Sequence, residues 1–240
     1  RNPIKNIRNF FRTSFEKGSL GIPVNIDNIE KKIKPGVLKK LISSVPENYY
    51  VQAHLPYSTE LNFLIQEENY KVLTIIRDPR DVIISFINQQ ENDKAYPLHN
   101  LFNSISMEEK VNIVFDGIKI NRDIQLSPLK ARYENVLGWK KEEKFLFLKF
   151  EDLIGEKGNG NAENQKRTIS KVLQYLKIKK SNKDIRFIKN KLFYKRAETF
   201  NKGKIGRWKT ELNDQIVDLI NHKLNNSILR EYMVDLNYDL

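Results

Sequence analysis

The sequence predicts an α/β domain in which helices flank a mostly parallel sheet to give three layers. Residues 71–77 (KVLTIIR) and 144–150 (KFLFLKF) are apolar runs whose length and composition are typical of strands. Amphipathic helical patterns follow the second run, over residues 167–178, 182–196 and 211–232. This alternation of strands with helices favours a parallel sheet, because parallel neighbours need crossover connections.

The junction after residues 71–77 predicts a strand, a tight turn and a helix. Asp78 is a favourable N-cap, Pro79 suits the first helical position, and Asp81 lies in the first turn, where the helix dipole favours an acid. An uninterrupted apolar strand is typical of the interior of a parallel sheet. We therefore expect residues 71–77 to be buried on both faces.

The rest of the chain is expected to complete a single domain over residues 1–240. Residues 1–48 are predicted to be a helical and loop lead-in, and residues 49–240 to be the core that carries the motifs. A short strand is predicted at residues 49–54. Residues 155–165 are polar and contain glycine, but no GK[ST] follows them, so we expect a surface insertion and not a phosphate-binding loop.

Composition excludes several kinds of site and of protein. The 240 residues include no cysteine, which excludes a disulfide scaffold, a thiolate metal site and a cysteine nucleophile. Three histidines are too few to favour a histidine-built metal site. No run approaches the roughly 18 apolar residues that a membrane span needs, and no signal peptide is visible. We therefore expect no metal, no membrane span and a cytoplasmic protein.

Positive charge is concentrated in one part of the chain. The net charge is +12, and residues 166–209 contain 16 Lys and Arg against two acids, Asp184 and Glu198. This excess predicts an anionic partner such as phosphate, sulfate, nucleic acid or an acidic glycan. The alternative is an ordinary solvated lysine surface. Nucleic acid is the least favoured partner, because the sequence contains no nucleic-acid-binding motif.

Arg77 and Ser85 lie on either side of the predicted helix start. In open α/β sheets ligands bind outside the carboxyl ends of strands, where helix N-termini offer free N–H groups. An arginine at such a strand end can bind a phosphate through two N–H groups, and a serine hydroxyl can donate to the same group. The alternative is that Arg77 pairs with Asp78 or Asp81 and that Ser85 faces solvent.

His54 ends the short strand predicted at the same edge of the sheet. A neutral imidazole can take a proton from an attacking hydroxyl near pH 7, which makes His54 a candidate general base. The alternative is a structural histidine. The anion site predicted on the neighbouring strand favours the catalytic interpretation.

Residues 200–209 (FNKGKIGRWK) are predicted to form a basic loop. Its two glycines let the backbone approach a ligand closely, and Lys202 and Lys204 supply positive charge. The alternative is a basic linker in which Trp208 is buried.

Four motifs, taken in order, resemble those of the PAPS-dependent sulfotransferases, especially the cytosolic type. They are QAHLP (52–56), RDPRDVIIS (77–85), KFEDL (149–153) and FNKGKIGRWK (200–209). The resemblance covers residues 49–240, and it is the order and spacing of the motifs that make it specific. It implies a fold similar to that of the P-loop nucleoside triphosphatases.

The resemblance also implies a reaction and a role for each site residue. The chain would move a sulfonate group from 3′-phosphoadenosine 5′-phosphosulfate (PAPS) to a hydroxyl or amine acceptor, with His54 as the general base. The residues expected to bind the nucleotide are Arg77, Ser85, Asn201, Lys202 and Gly203 around the 3′-phosphate, and Phe193 against the adenine.

Some features of the family are replaced in this chain. The opening strand and the P-K-S-G-T-T-W-like loop that binds the 5′-phosphosulfate have no good counterpart. Gln52, Phe150 and Asn201 stand where the family has lysine, tyrosine and arginine. We expect the N-terminal strand and loop to be missing. The alternative is a non-catalytic homologue that binds a nucleotide or an anionic glycan and has lost the phosphosulfate loop.

The acceptor is expected to be a small molecule or a carbohydrate, and the basic surface favours an anionic one. The pocket that holds it is predicted to come from residues 57–70, 88–108 and 122–140. A nucleotide kinase on the same type of sheet is disfavoured, because no GK[ST] motif or evident magnesium-binding acid is present.

Overall fold

The computed structural model of the chain describes residues 22–26, 29–47, 49–51, 54–121, 125–193 and 202–239. The chain divides into two compact units. The first comprises Arg1–Tyr70 and Gly117–Glu142, and the second comprises Lys71–Asp116 and Glu143–Leu240. The expectation of one domain over residues 1–240 stays a prediction.

The described part of the chain contains both strands and helices. The strands are β1 (Ile22–Ile26), β2 (Ile29–Ile33), β3 (Leu73–Ile76), β4 (Ile118–Lys119), β5 (Gln125–Leu126) and β6 (Leu146–Lys149). The helices are α1 (Pro35–Ser43), α2 (Thr59–Glu67), α3 (Pro79–Asn92), α4 (His99–Phe102), α5 (Met107–Asp116), α6 (Leu129–Leu137), α7 (Phe150–Ile154), α8 (Ala162–Tyr175), α9 (Asn182–Leu192), α10 (Trp208–Glu211), α11 (Asp214–Asn225) and α12 (Leu229–Asp235). Short 3₁₀ turns cover Gly138–Lys141 and Glu156–Gly158.

The first unit begins with an antiparallel pair, β1 and β2, in which Ile22 lies opposite Ile33. The expectation of only helix and loop before residue 49 is therefore wrong. Ile22, Val24 and Ile26 recur at every second position, and this period of two is the signal of a strand. The strands are short, so their local pattern is weak and strand pairing has to stabilise them. A helix is present within this segment, as α1, which begins at Pro35.

The segment that follows His54 is fixed by two aromatic side chains of the first unit. The rings of Tyr57 and Trp139 meet edge to face with their centroids 5.2 Å apart. Trp139 Nε1 donates a hydrogen bond to the Leu55 carbonyl at 2.9 Å. The Tyr57 hydroxyl donates to Glu142 Oε1 at 2.6 Å, and this bond raises the pKa of Tyr57. These contacts hold the backbone immediately after His54.

The strand predicted at residues 49–54 is not formed in its described part. Residues 49–51 have no regular structure, and His54 makes one isolated β-bridge. Tyr49 and Tyr50 are exposed, so the burial that would stabilise a strand there is absent from these two residues. The prediction relied on β-propensity, which has little effect where the side chains do not pack.

Two strands of the second unit, β3 and β6, form a parallel pair. Leu73 pairs with Leu146 and Ile76 pairs with Lys149, so both strands end at the same edge. Two residues, Arg77 and Asp78, separate β3 from helix α3, and α7 begins directly after β6. The predicted strand, turn and helix are confirmed, and they bring two helix starts to one sheet edge.

The expected burial of residues 71–77 on both faces is wrong. Leu73 and Ile75 expose 38% and 52% of their surface, whereas Ile76 is buried. Since alternate side chains point to opposite faces of a strand, Leu73 and Ile75 share the exposed face. An apolar run predicts that a strand has a buried face. Which of its two faces is covered depends on elements that are distant in the sequence.

Helices α4, α5 and α10 contact α3, which buries Ile83, Ile84, Phe86 and Ile87. The helix predicted over residues 211–232 is divided into α11 and α12, and the Ser227 hydroxyl accepts the Leu229 N–H at 3.2 Å where α12 begins. In the part of the chain that the structure describes, no helix combines the length and the apolar character that crossing a membrane requires.

Candidate functional site

Arg77 lies at the carboxyl end of β3, between the two helix starts. Its guanidinium carbon lies 4.5 Å from the ring centroid of Phe150, which follows the neighbouring strand β6. Arg77 Nη2 donates to Asp81 Oδ2 at 3.1 Å and to the carbonyl oxygen of Lys204. The predicted alternative of an Arg77–Asp81 ion pair is thus formed, and the same side chain reaches the basic loop.

Asp78 caps α3 as predicted, since its carboxylate accepts the Arg80 N–H at 2.8 Å. The carboxylate also pairs with the buried Arg80 guanidinium at 2.7 Å. Arg80 in turn lies 4.1 Å from the ring centroid of Trp208 and donates to the carbonyl of Asp239. Arg80 therefore joins the start of α3, the basic loop and the C-terminal segment in one contact network.

Asp81 makes contacts with the basic loop that the sequence did not predict. Its carboxylate is fully buried. Oδ2 accepts the Gly206 N–H at 2.8 Å, and Oδ1 accepts the Arg207 N–H at 2.8 Å. The sequence indicated that an acid in the first helical turn is favourable, and it gave Asp81 as an alternative partner of Arg77, but it indicated no contact with the loop. A further signal was available, because Asp81 stands four residues after Arg77 and four before Ser85.

The basic loop has an ordered path over its described residues, 202–209. Gly203 and Gly206 have φ angles of +60° and +70°, in the left-handed region that glycine adopts without strain. The Ile205 N–H donates to the Gly158 carbonyl at 2.9 Å. Gly158 is buried, and a Cβ at this position would collide with the carbonyl oxygen of Gly203. Gly158, within the segment predicted as a surface insertion, therefore packs against this loop.

Lys202 is held by an acid, Glu211, at the end of helix α10. Its ammonium lies 3.1 Å from Glu211 Oε2. Glu211 also receives two bonds from the Arg207 guanidinium, at 2.8 and 2.9 Å. The Arg207 bonds, followed by the contact with Lys202, lower the pKa of Glu211 to about 2. This carboxylate is therefore charged throughout the neutral range.

A second carboxylate, Glu151, has the opposite electrostatic environment. It follows β6 and accepts the Asp78 N–H at 2.8 Å and the Tyr238 hydroxyl at 2.9 Å. Burial raises the pKa of Glu151, and these hydrogen bonds oppose the rise. Glu151 thus ties the start of α3 to the C-terminal segment.

The remaining predicted site residues lie on several elements. Ser85 is half-buried on α3, one turn beyond Asp81 on the same helix face. Phe193 is half-buried and follows α9. Asn201 lies outside the described residues. His54 is exposed and belongs to the first compact unit, whereas the other described candidates belong to the second.

The sequence matches a family model and a curated plant enzyme. The family model described as a sulfotransferase domain matches residues 25–227. A flavonol 3-sulfotransferase from Flaveria bidentis is 26% identical over an alignment of 227 residues. The match covers 80% of this chain and 67% of the relative.

Two solved structures show the same fold. The crystal structure of mouse sulfotransferase SULT7A1 complexed with PAP has a TM-score of 0.58 at 15% identity, covering 97% of this chain and 84% of the other. The structure of retinol dehydratase in complex with androsterone and inactive cofactor PAP has a TM-score of 0.54 at 18% identity, covering 79% of this chain and 56% of the other. The predicted α/β sulfotransferase fold is confirmed. Because the family model matches most of its length, the chain belongs to the sulfotransferase family of transferase enzymes.

Proposed function

We propose that the chain transfers a sulfonate group from PAPS to a hydroxyl or amine of a small-molecule or carbohydrate acceptor. One observation carries the proposal: Arg77, at the end of a parallel strand, bonds to the carbonyl of Lys204 within the glycine-containing basic loop. Two solved relatives of this fold are complexes with PAP, which is adenosine 3′,5′-bisphosphate, the nucleotide that remains when PAPS has lost its sulfonate.

The 3′-phosphate is assigned to Arg77, Ser85, Lys202 and Gly203, with Asn201 beside them. An arginine and a lysine favour a doubly charged phosphate over a neutral ribose hydroxyl. The Lys202 side chain is 55% exposed, and an ammonium has three N–H donors, so it can bind a phosphate while it still contacts Glu211. The left-handed φ of Gly203 allows the backbone to approach the phosphate closely.

His54 is assigned the role of general base. Its exposed imidazole is accessible to an acceptor, and Trp139 fixes the backbone that follows it. In the proposed step, His54 takes the proton as the acceptor oxygen or nitrogen forms its bond to sulfur. The bond from sulfur to the 5′-phosphate oxygen breaks, and the electron pair of that bond leaves as negative charge on the phosphate oxygen of the departing nucleotide.

Phe193 is assigned to the adenine. It follows the last turn of α9, close in sequence to the basic loop, and a half-buried aromatic ring offers a flat apolar face for stacking. The proposed nucleotide site therefore uses the end of β3, the face of α3, the end of α9 and the basic loop.

The test is a calorimetric titration of the 240-residue chain with adenosine 3′,5′-bisphosphate, ADP and ATP. We expect tight binding to need the 3′-phosphate. In Arg77→Ala we expect the affinity for the bisphosphate to fall roughly ten- to hundred-fold, the range for a lost charge-assisted contact. Arg186→Ala is the matched control, because Arg186 is an exposed arginine of α9 outside the assigned site.

Equal affinity for all three nucleotides, declining steeply with salt, would contradict the proposal and indicate a generally basic surface. Equal losses in Arg77→Ala and Arg186→Ala would do the same, since removal of a positive charge anywhere would then suffice.

A further inference from the structure

We propose that Asp81 is a positioning residue that sets the basic loop and Arg77 at the spacing that a 3′-phosphate requires. The inference rests on the proposed function and concerns a residue that does not itself touch the nucleotide. The Asp81 carboxylate is a buried anion in a site proposed to bind an anion. We assign it the role of holding the cationic groups in place.

The geometry that carries the inference is a single carboxylate shared by two motifs. Asp81 Oδ2 receives Arg77 Nη2 at 3.1 Å and the Gly206 N–H at 2.8 Å. Oδ1 receives the Arg207 N–H at 2.8 Å and the Trp208 N–H at a longer 3.4 Å. Donors from residue 77 and from residues 206–208 therefore converge on one side chain.

The negative charge of Asp81 is informative because it lowers the affinity of the site for a phosphate. A negative charge beside Arg77 weakens the attraction of that guanidinium for a phosphate. A fully buried carboxylate also carries a large desolvation cost, which only several good hydrogen bonds offset. Such an acid therefore contributes by its geometry, and here that geometry links Arg77 to the loop of Lys202 and Gly203.

The loop depends on such a link because its own backbone is permissive. Two of its residues, Gly203 and Gly206, adopt left-handed φ angles and have many alternative conformations available. The carboxylate accepts two short backbone bonds at the end of this stretch, and only a carboxylate has enough lone pairs to receive all of the donors. Asparagine would present one oxygen and an NH₂ group to the same donors.

The expected effect of Asp81→Asn is a loss of discrimination between nucleotides. Affinity for adenosine 3′,5′-bisphosphate should fall roughly ten-fold or more, because two phosphate-binding groups lose their alignment. Affinity for adenosine 5′-monophosphate, which has no 3′-phosphate, should change less than about two-fold.

The experiment combines calorimetric titration of the full 240-residue chain with amide hydrogen exchange at Gly206 and Arg207. The wild type, Asp81→Asn and Gln90→Leu are compared. Gln90 is buried on the same helix and bonds the Leu98 N–H, so its replacement weakens α3 without touching the loop. Support consists of faster exchange and lost 3′-phosphate preference in Asp81→Asn, with both retained in Gln90→Leu.

Asp81→Asn with an unchanged preference for the bisphosphate would overturn the inference, whatever the change in melting temperature. Unchanged exchange at both amides would also overturn it. If Asp81→Asn does not fold, Asp81→Glu applies the same test, because it keeps the charge but displaces the acceptor oxygens. A wild type without any 3′-phosphate preference would overturn the proposed function itself, and the inference with it.

Discussion

The Arg80 guanidinium lies 4.1 Å from the centroid of the Trp208 ring, and its Nη2 lies 2.7 Å from Asp78 Oδ2. A buried cation is thus placed between a carboxylate of the helix start and an aromatic ring of the basic loop. Both partners come from motifs that the sequence indicated separately. The contact means that the helix start and the loop share one stabilising group.

Arg80→Ala is expected to lower the free energy of unfolding by about 3 kcal/mol, because it leaves the Asp78 carboxylate buried without its cation. Thermal or urea denaturation measures the change. Lys209→Ala is the matched control, since the Lys209 ammonium approaches the same ring at 5.1 Å from an exposed position. We expect about 0.5 kcal/mol there. Equal losses in both variants would contradict the role of the buried pair.

Glu211 is expected to make stability depend on pH in the acid range. Its pKa is lowered from 4.5 to about 2 in the folded chain, so its bonds to Arg207 and Lys202 contribute fully above about pH 4.5. That contribution is lost as the pH falls from about 4.5 to about 2, because the carboxyl then becomes protonated in the folded state as well.

The measurement is the melting temperature of the wild type and of Glu211→Gln at a series of pH values. The difference between the two proteins should be constant between about pH 5 and 7, and it should shrink towards pH 2. A difference that stays constant down to pH 2 would show that the carboxylate charge contributes nothing to stability. Glu231→Gln, an exposed acid on α12, serves as the control.

Local rules were sufficient at the junction between β3 and α3. The Asp78 cap, the position of Pro79 and the placement of Arg77 at the strand end depend on residues within a few positions of one another. The contacts at this junction join residues that are close in sequence, so the local sequence pattern was enough to predict the strand, the turn and the helix. The order of the four motifs likewise predicted the family.

Distant contacts were beyond such rules. The donors that reach Asp81 come from residues 206 and 207, and Gly158 meets the loop through a carbonyl that any residue type carries. One face of β3 is exposed because no other element in the described part of the chain covers it, and no local pattern encodes which face is covered. Sequence reasoning therefore found the cationic groups of the site and gave Asp81 as an alternative partner of Arg77, but it missed the bonds by which Asp81 also holds the loop.

His54→Ala is expected to reduce sulfonate transfer by roughly 10²–10⁴-fold, the usual contribution of a general base. Binding of adenosine 3′,5′-bisphosphate should change less than about two-fold, since the imidazole is assigned to the acceptor and not to the nucleotide. Transfer from labelled PAPS to a panel of phenols, alcohols and sugars measures the first, and calorimetry measures the second. His222→Ala, an exposed histidine on α11, is the control. Unchanged transfer in His54→Ala would remove this residue from its assigned role.

Phe193→Ala is expected to weaken adenosine 3′,5′-bisphosphate binding roughly ten-fold, because stacking of a base on an aromatic ring contributes about 1–3 kcal/mol. Inorganic pyrophosphate, which lacks a base, should compete equally well in the variant and the wild type. Phe187 is the matched comparison, since it stands on α9, the helix that Phe193 follows, is 62% exposed and has the Lys191 ammonium 5.6 Å from its ring centroid. If Phe187→Ala weakens nucleotide binding and Phe193→Ala does not, the adenine stacks on the exposed face of α9, and the assignment of Phe193 is wrong.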